Sequence, residues 1–415
     1  MNTYAFLFGA HPTLSLAELL NFLDSQKINR GEFVWADAIL IVDLKMSPEE
    51  AADLQNQLGG VIKIFAIKER FRGKIFGLDK ILTPEKLLAD FFAQKTNKIN
   101  FGISVYADPE LPYSDLNWLK NFAHNIKRRL KSEHSIRYVE DAGWSLSSVQ
   151  VERNRLIDTG AEIALIHNQG TYYVGKTLTV QDYRAYSQRD YDKPSPDAKS
   201  GMLPPKLAQM MINLTREKAT KSIFDPFCGS GIVLQEALLL GLKIYGSDIS
   251  PKAVKDTVSN LEWFSKLKKL AGSRMALRIK EADATKISWS QLNTTDVAIV
   301  TEPYLGPPLR DRVFAYQASA IQQELSTLYL GFFTNLSKNF GAIKRIGIVF
   351  PVLKTRDGLQ YLEIIRQIEK MGYTRRAVLP ETITKKDPGV SPRGGLLYSR
   401  TDQFVLREIF VFERS

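Results

Sequence analysis

Apolar residues follow two different periods along the first 180 residues of this chain. Short runs such as TYAFLFG, AILIVDL and VIKIFAIKERF predict strands, whereas SLAELLNFL and PEEAADLQNQL repeat apolar positions with helical spacing. Further on, FGISVYA, AEIALIH and TYYVGKTLTV predict strands, and Ser114 and Asp115 cap a long predicted helix. We therefore expect an α+β region, divided into a domain at residues 1–95 and a second at 96–180.

A polar segment rich in Tyr, Asp and Pro follows, and residues 181–200 are predicted to be a linker. Two interpretations of this segment stay open. It contacts nucleic acid through phosphate pairing and base stacking, or it packs along the surface of a domain. Both interpretations rest on basic residues that alternate with tyrosines: Arg184, Arg189 and Lys193 with Tyr183, Tyr186 and Tyr191.

After Pro205 the pattern changes to a strict alternation of strands and helices. SIFD, KIYGSD, RIKEADA, DVAIVTEP and RIGIVFPVL predict strands with helices between them, and FVLREIFVFER predicts a long final strand. Such alternation is typical of a parallel sheet covered by helices on both faces. The predicted fold class of residues 201–415 is therefore α/β.

A glycine turn, DPFCGSG, follows the strand SIFD and is the strongest candidate for a ligand site. In such sheets ligands bind beyond the carboxyl ends of the strands. Acids end the next two strands, where Asp248 suits a ribose diol and Asp283 suits an adenine amino group. The turn is neither GxGxxG nor a P-loop, and Asp225 would repel a diphosphate but attract an ammonium group, which favours S-adenosylmethionine. The predicted cofactor-binding residues are Asp225, Pro226, Phe227, Cys228, Gly229, Gly231, Asp248, Ile249, Asp283 and Ala284.

Composition and charge narrow the classes of partner. Residues 201–415 contain 31 Lys+Arg against 20 Asp+Glu, so they carry the whole net charge of +11. This surplus favours a polyanionic substrate, although a solvated basic surface is the alternative. With one cysteine we expect no internal disulfide and no cysteine-based zinc site, and no metal-binding residues are predicted. We also expect no membrane contact and a cytoplasmic protein, because no apolar run has the length of a membrane span and the N-terminus does not resemble a signal peptide.

Several of these segments resemble one known family. DPFCGSGIVLQEALLLG and GSDIS are similar to the first two motifs of Rossmann-like S-adenosylmethionine-dependent methyltransferases. SSVQVERNRLIDTGAEIALI, TYYVGKTLTVQDY, RDYDKP, GMLPPKLAQMMINL and YSRTDQFVLREI resemble the THUMP-containing tRNA guanosine-N2 methyltransferases, and so does the opening FLFGAHPTLSLAELL. The resemblance implies a ferredoxin-like domain at 1–95, a THUMP-like RNA-binding domain at 96–180 and a methyltransferase domain with a mostly parallel seven-stranded sheet at 201–415. It also implies tRNA as the partner, methylated on guanosine N2 at the base of the D-arm, position ten.

The family's fourth motif, an Asp or Asn followed by two prolines and an aromatic residue, is altered in this chain. The aligned residues are Thr301, Glu302, Pro303 and Tyr304, which are the predicted catalytic residues. In the family an acceptor side chain and a backbone carbonyl bind the amine, and the aromatic ring stacks on a base that has left its helix. Here Thr301 is neutral, and Glu302 supplies a carboxylate one position later.

Three functions are consistent with these observations. The first is a tRNA guanosine-N2 methyltransferase. The second is an amino-methyltransferase that acts on DNA or ribosomal RNA with the same cofactor. The third is a non-catalytic RNA-binding protein with a vestigial cofactor pocket. The sequence decides neither the oligomeric state nor the need for an activating partner.

Overall fold

Two compact units make up the described part of the chain. The computed structural model describes residues 1–92, 98–108, 110–131, 134–196, 202–270, 278–384 and 387–414, so residues 197–200 of the predicted linker lie outside it. The N-terminal unit comprises residues 1–12, 28–57 and 61–183. The C-terminal unit comprises residues 13–27, 58–60 and 184–415. The second unit is therefore assembled from three separate segments of the chain.

An eight-stranded sheet forms the N-terminal unit, in the order β2-β3-β1-β4-β8-β7-β5-β6. The pairs β5–β6 and β5–β7 are parallel, and the other pairs are antiparallel. The strands are β1 Asn2–Phe8, β2 Arg30–Ala36, β3 Ile39–Leu44, β4 Val61–Arg72, β5 Lys98–Asp108, β6 Ser135–Val139, β7 Ala161–Asn168 and β8 Thr171–Val180.

The helices of the first 191 residues do not all belong to that unit. They are α1 Pro12–Ser25, α2 Pro48–Asp53, α3 Leu78–Ile81, α4 Pro84–Lys86, α5 Tyr113–Leu130, α6 Ser148–Arg153 and α7 Tyr183–Tyr191, with short 3₁₀ or π turns at Leu54–Gln57, Ile75–Gly77 and Leu87–Phe91. Helices α1 and α7 belong to the C-terminal unit, apart from the first residue of each. Within the N-terminal unit, α5 buries Leu119 and Phe122 in one core with Phe101 of β5.

The strands and helices predicted for the first 180 residues are present, and two further strands are found. Strand β2 is half-exposed along its whole length, and β6 alternates exposed and buried positions over only five residues. Strand β6 offers no apolar run that indicates a buried strand, and in β2 the run is only the four residues 33–36. The single sheet contains strands from both sides of residue 95, and the division into a ferredoxin-like and a THUMP-like domain stays a prediction.

A second sheet forms the C-terminal unit, in the order β11-β10-β9-β12-β13-β17-β15. The pairs from β11 to β13 are parallel, whereas β17 pairs antiparallel with β13 and β15. Strand β14 pairs with β13, and β16 pairs with β17. The sheet therefore has two strands more than the predicted seven. The strands are β9 Ser222–Asp225, β10 Lys243–Asp248, β11 Ile279–Glu281, β12 Val297–Thr301, β13 Arg345–Thr355, β14 Gly358–Tyr361, β15 Tyr373–Arg375, β16 Leu396–Tyr398 and β17 Val405–Arg414.

Helices connect the parallel strands of this sheet, as the predicted α/β class requires. They are α8 Pro205–Thr215, α9 Ile232–Leu239, α10 Pro251–Leu267, α11 Ala315–Asn339, α12 Ile365–Lys370 and α13 Glu381–Thr384, with a 3₁₀ turn at Ser290–Leu292. On one face, α11 buries Tyr329, Phe332 and Phe333 in a core shared with Phe224 of β9 and Phe350 of β13. The sheet is thereby held by large apolar contacts, while the carboxyl ends of its parallel strands carry polar groups.

Helix α7 occupies nine residues of the segment 181–200, which the sequence predicts to be a linker. Arg189 is buried, its Nε donates to Glu236 Oε1 of α9 at 2.7 Å, and its guanidinium lies 4.2 Å from the centre of the Tyr186 ring. The Tyr186 hydroxyl in turn donates to Gln209 of α8. For Arg189 and Tyr186 the packing interpretation is therefore correct, whereas Tyr191 is 74% exposed.

Candidate active site

The glycine turn lies at the point where the order of the strands reverses. From β9 the chain continues to β10 and β11 on one side, and then returns to β12 on the other side of β9. Two glycines with positive φ shape the turn, Gly229 at +51° and Gly231 at +86°. The Gly231 N–H donates to the Cys228 carbonyl at 2.7 Å, and the Cys228 N–H donates to the Ser247 carbonyl at 2.9 Å. The turn is thereby fixed to β10 and opens directly into α9.

Asp225 ends β9 and is almost fully buried. Its Oδ1 accepts the Thr301 hydroxyl at 2.6 Å and the Phe227 N–H at 3.1 Å. Burial raises the pKa of Asp225 to about 7, against the lowering effect of these hydrogen bonds, and the charges of Asp248 and Glu302 add to the rise. Asp225 therefore ties the glycine turn to the end of β12, in addition to any contact with a ligand.

Asp248 ends β10 and contacts the glycine turn directly. Its Oδ2 accepts the Gly229 N–H at 3.0 Å, and its Oδ1 accepts the Ser250 N–H at 2.9 Å. Each carboxylate oxygen has a second lone pair, so both can still accept a hydroxyl group. The neighbouring Ile249 is 68% exposed, an apolar side chain left uncovered beside a carboxylate.

Asp283 follows β11 and is held by a turn of its own. The Thr285 hydroxyl and the Thr285 N–H donate to its Oδ1 at 2.7 and 2.9 Å, and Lys286 Nζ lies 3.1 Å from its Oδ2. The Thr285 hydrogen bonds and the nearby Lys286 lower the pKa of Asp283. The Ala282 N–H donates to the Asp248 carbonyl at 2.9 Å, and Ala284 is buried behind this turn.

Cys228 occupies the interior of the glycine turn. Its thiol is 4% exposed and lies 3.6 Å from the Thr257 hydroxyl, which donates to the Gly229 carbonyl at 2.7 Å. Burial raises the pKa of the Cys228 thiol well above its usual value, with a further contribution from Asp225. Since the thiolate is the reactive form, this environment suits an unreactive small side chain inside the turn.

The four predicted catalytic residues differ sharply in their surroundings. Thr301 is fully buried, and its hydroxyl donates to Asp225. Pro303 is buried, whereas Tyr304 is 49% exposed. Glu302 forms a two-bond ion pair with Arg407 of β17, whose Nε and Nη2 donate to the two carboxylate oxygens at 2.5 and 3.0 Å. Arg407 is 3% exposed, so its charge is balanced by Glu302 away from solvent.

Arg407 is a site residue that the sequence pattern did not predict. It lies in the predicted final strand, where a charged pair, Arg407 and Glu408, interrupts an otherwise apolar run. Successive strand residues face opposite sides of a sheet, so the two charges need different partners. Glu408 pairs with Arg393, and Arg407 pairs with Glu302. That interruption was the signal that could have indicated a buried ion pair.

Two kinds of feature are not found among the described residues. None of the described helices combines the length and the apolar surface that a membrane crossing requires. Nor does this part of the chain bring together three or more His, Cys, Asp or Glu side chains in an arrangement that could hold a metal ion.

The region around this site is similar to a known protein family. Residues 193–313 match the family model described as an RMKL-like methyltransferase domain. This stretch of the chain is therefore similar to a methyltransferase domain. The match begins just after α7 and ends beyond Tyr304, so it contains all the predicted cofactor-binding and catalytic residues.

Two curated relatives and one solved structure extend the comparison beyond this domain. Over 218 residues the chain is 29% identical to the tRNA (guanine(10)-N2)-dimethyltransferase of Methanocaldococcus jannaschii, covering 50% of this chain and 60% of the relative. The enzyme of the same name from Pyrococcus abyssi is 35% identical over 160 residues, covering 34% and 45%. The chain thus spans about half the length of these relatives. The TrmN structure from Thermus thermophilus matches the whole of both chains with a TM-score of 0.55 and 14% identity, which shows that the two chains share a fold.

Proposed function

We propose that this protein transfers a methyl group from S-adenosylmethionine to the exocyclic N2 amine of a guanosine in tRNA. The observation that carries the proposal is the ring of polar groups at the carboxyl ends of β9, β10 and β11, inside a methyltransferase domain. The names of the curated relatives, which specify guanine 10, support tRNA and its position-ten guanosine. An enzyme acting on tRNA is also expected in the cytoplasm.

The residues of the turn fit S-adenosylmethionine. A Cβ placed on Gly229 would meet no atom within 4 Å, so the backbone is open to a ligand at this point. The Asp248 carboxylate suits the ribose hydroxyls, Ile249 suits one face of the adenine, and Asp283 suits its amino group. When bound, the cofactor supplies an electrophilic methyl group on a sulfonium.

The end of β12 is the proposed site for the amine. The N2 nitrogen would bond to the methyl carbon as the carbon–sulfur bond of the sulfonium breaks and the neutral thioether leaves. The nitrogen would also give up a proton, so the protein needs an acceptor there. Each Glu302 oxygen keeps one lone pair beyond its bond with Arg407, and the Pro303 carbonyl is the second candidate acceptor. Tyr304 is exposed enough to stack on an extruded base. Holding the amine in line with the methyl group is the main catalytic contribution of such a site.

One observation favours a non-catalytic alternative. The Thr301 hydroxyl is committed to Asp225, and the Glu302 carboxylate is committed to Arg407, so both altered positions already have protein partners. A protein that binds RNA and cofactor without turnover would have the same contacts. Methylation of DNA or ribosomal RNA is the other alternative, and the tRNA names of the curated relatives argue against it.

The deciding experiment is incubation of the purified protein with methyl-labelled S-adenosylmethionine and bulk tRNA, followed by nucleoside mapping. We expect label in N2-methylguanosine or its dimethyl form. Asp248→Ala should weaken cofactor binding in calorimetry, whereas Asp256→Ala, which removes an acid paired with Lys252 on α10, should not. Cofactor binding without label in any RNA would favour the non-catalytic alternative. If duplex DNA is offered in place of tRNA, label in that DNA would favour the DNA methyltransferase alternative.

A further inference from the structure

Two exposed aromatic rings stand where the loop after Tyr304 enters α11. Phe314 is 43% exposed and Tyr316 is 72% exposed, yet their rings are stacked, with centroids 5.8 Å apart and an interplanar angle of 17°. The guanidinium carbon of Arg356 lies 3.9 Å from the centre of the Phe314 ring. We call Phe314, Tyr316 and Arg356 the aromatic–arginine surface.

The backbone holds this surface in place without any partner. The Val313 N–H donates to the Lys354 carbonyl at 3.3 Å, and the Arg356 N–H donates to the Val313 carbonyl at 3.1 Å. Arg356 itself lies in the tight turn between β13 and β14, where the Thr355 hydroxyl donates to the Gly358 carbonyl at 3.0 Å. Two chain segments are thus fixed side by side, which places Arg356 next to the Phe314 ring.

The surface extends beyond the catalytic end of the sheet. Strands β12 and β13 are parallel neighbours, and Thr301 is opposite Ile348. Strand β13 continues from there to Thr355, a further seven residues. At roughly 3.3 Å per residue this extension is on the order of 20 Å. The acceptor Glu302 is nearer, because its partner Arg407 is opposite Pro351, four residues before Thr355. A molecule that reaches from the proposed base pocket to the surface therefore spans on the order of 13 Å.

Charge identifies the kind of molecule. Arg310 and Arg312 are exposed on the same loop, Arg356 is exposed on the adjoining turn, and residues 201–415 carry the entire positive surplus of the chain. Solvent-exposed aromatic rings beside an arginine are typical of surfaces that bind unpaired nucleotides. The rings stack on the bases, and the cations pair with the phosphates. A partner with acidic peptide segments would use the charge but leave the stacked ring faces unused.

We propose that the aromatic–arginine surface binds unpaired nucleotides of the RNA substrate that lie outside the target pocket. This inference rests on the proposed function for the identity of the substrate. It adds a second point of contact on the catalytic half, so that RNA is held both at the extruded guanosine and at neighbouring unpaired bases. The surface affects affinity for RNA, and the methyl transfer itself takes place elsewhere.

Fluorescence anisotropy with a labelled tRNA transcript tests this proposal. The double variant Phe314→Ala/Tyr316→Ala should raise the tRNA Kd about tenfold or more, since stacking on each base is worth a substantial factor. Arg356→Ala should also raise the Kd and reduce its dependence on salt. Affinity for a fully paired RNA duplex should change little in the double variant, because its bases are not available for stacking.

Matched controls separate this effect from general loss of surface or charge. Leu267→Ala removes an exposed apolar side chain from α10, and Arg366→Ala removes an exposed arginine from α12. Both should bind tRNA as the unchanged protein does. Phe314→Tyr keeps the ring and should keep the affinity. If the double variant also lost cofactor binding through misfolding, Arg356→Ala and Phe314→Tyr would decide the question.

The possible outcomes distinguish this inference from the proposed function. A tRNA Kd unchanged within twofold in the double variant and in Arg356→Ala would overturn the inference and point to a protein partner for the surface. If tRNA binding depended on these residues but labelled methyl never reached tRNA, the inference would stand and the proposed function would fail. If methyl transfer occurred and the Kd did not change, the inference alone would fail.

Discussion

The ion pair between Glu302 and Arg407 gives the sharpest stability prediction. Arg407→Met removes the guanidinium and fills much of its volume with an apolar side chain, which leaves the Glu302 carboxylate beside the sheet without its two charged hydrogen bonds. Because the partners have only 15% and 3% of their side-chain surface exposed, water replaces those bonds poorly. The variant should be less stable and should misplace the loop that begins at Glu302.

The magnitude follows from the burial of the pair. Removing one partner of a buried ion pair costs about 3–5 kcal/mol. The Glu302 side chain keeps some contact with solvent, so we expect a loss near the lower end, ~3 kcal/mol in the free energy of unfolding. Glu302→Gln should also be destabilising, since it leaves the Arg407 charge unbalanced. The double variant should lose less than the sum of the two single losses, by about 1–3 kcal/mol.

Urea unfolding monitored by tryptophan fluorescence measures these losses. The matched control is Arg375→Met, because Arg375 Nε and Glu369 Oε1 are 2.9 Å apart while their side chains are 40% and 35% exposed. An exposed pair of this kind is worth less than about 1 kcal/mol. If Arg407→Met cost no more than Arg375→Met, or if the two single losses simply added in the double variant, the reasoning about this buried pair would be refuted.

Two other features of the C-terminal unit yield predictions. Burial raises the pKa of Glu18 to about 7, so its protonated form stabilises the fold below pH ~4.5 and this contribution is lost as the pH rises towards 7. The difference in free energy of unfolding between the unchanged protein and Glu18→Gln should therefore fall between pH 4.5 and 7.5. A constant difference would contradict a raised pKa for Glu18. Gly231→Ala forces an alanine to φ +86° and places its Cβ 3.1 Å from Thr257, whereas Gly241→Ala, at φ +76°, meets no atom within 4 Å. Both should lose about 1 kcal/mol through backbone strain, but only Gly231→Ala should also weaken cofactor binding in calorimetry, and equal effects would count against a role of this turn.

The strands that carry the candidate site could be predicted because they are buried and parallel. SIFD and KIYGSD coincide with β9 and β10 residue for residue. Strands buried inside a parallel sheet appear in the sequence as short, mainly apolar segments between polar turns. The glycine turn, and the acids at the carboxyl ends of β9, β10 and β11, were predicted from the same pattern. Their convergence follows from the rule that parallel strands end at one edge.

Long-range pairs between charged groups could not be predicted in this way. Arg407 and Glu302 are 105 residues apart, and no local period relates them. Helix α7 was also missed, because its polar and aromatic composition is typical of a linker and its buried face depends on Glu236 of a later helix. In both cases the decisive contact is made with a residue that a window of local sequence does not contain.

The position of α1 has a consequence for how the chain folds during synthesis. Glu18 on this helix accepts the Asn213 side chain at 2.7 Å, across 195 residues of sequence, and also accepts the Gly59 and Gly60 N–H groups at 2.8 Å. A ribosome that adds about 5–20 residues per second needs on the order of 10–40 s to complete that interval. Helix α1 leaves the ribosome long before α8, so Glu18 must wait for its partner Asn213 until α8 has been made.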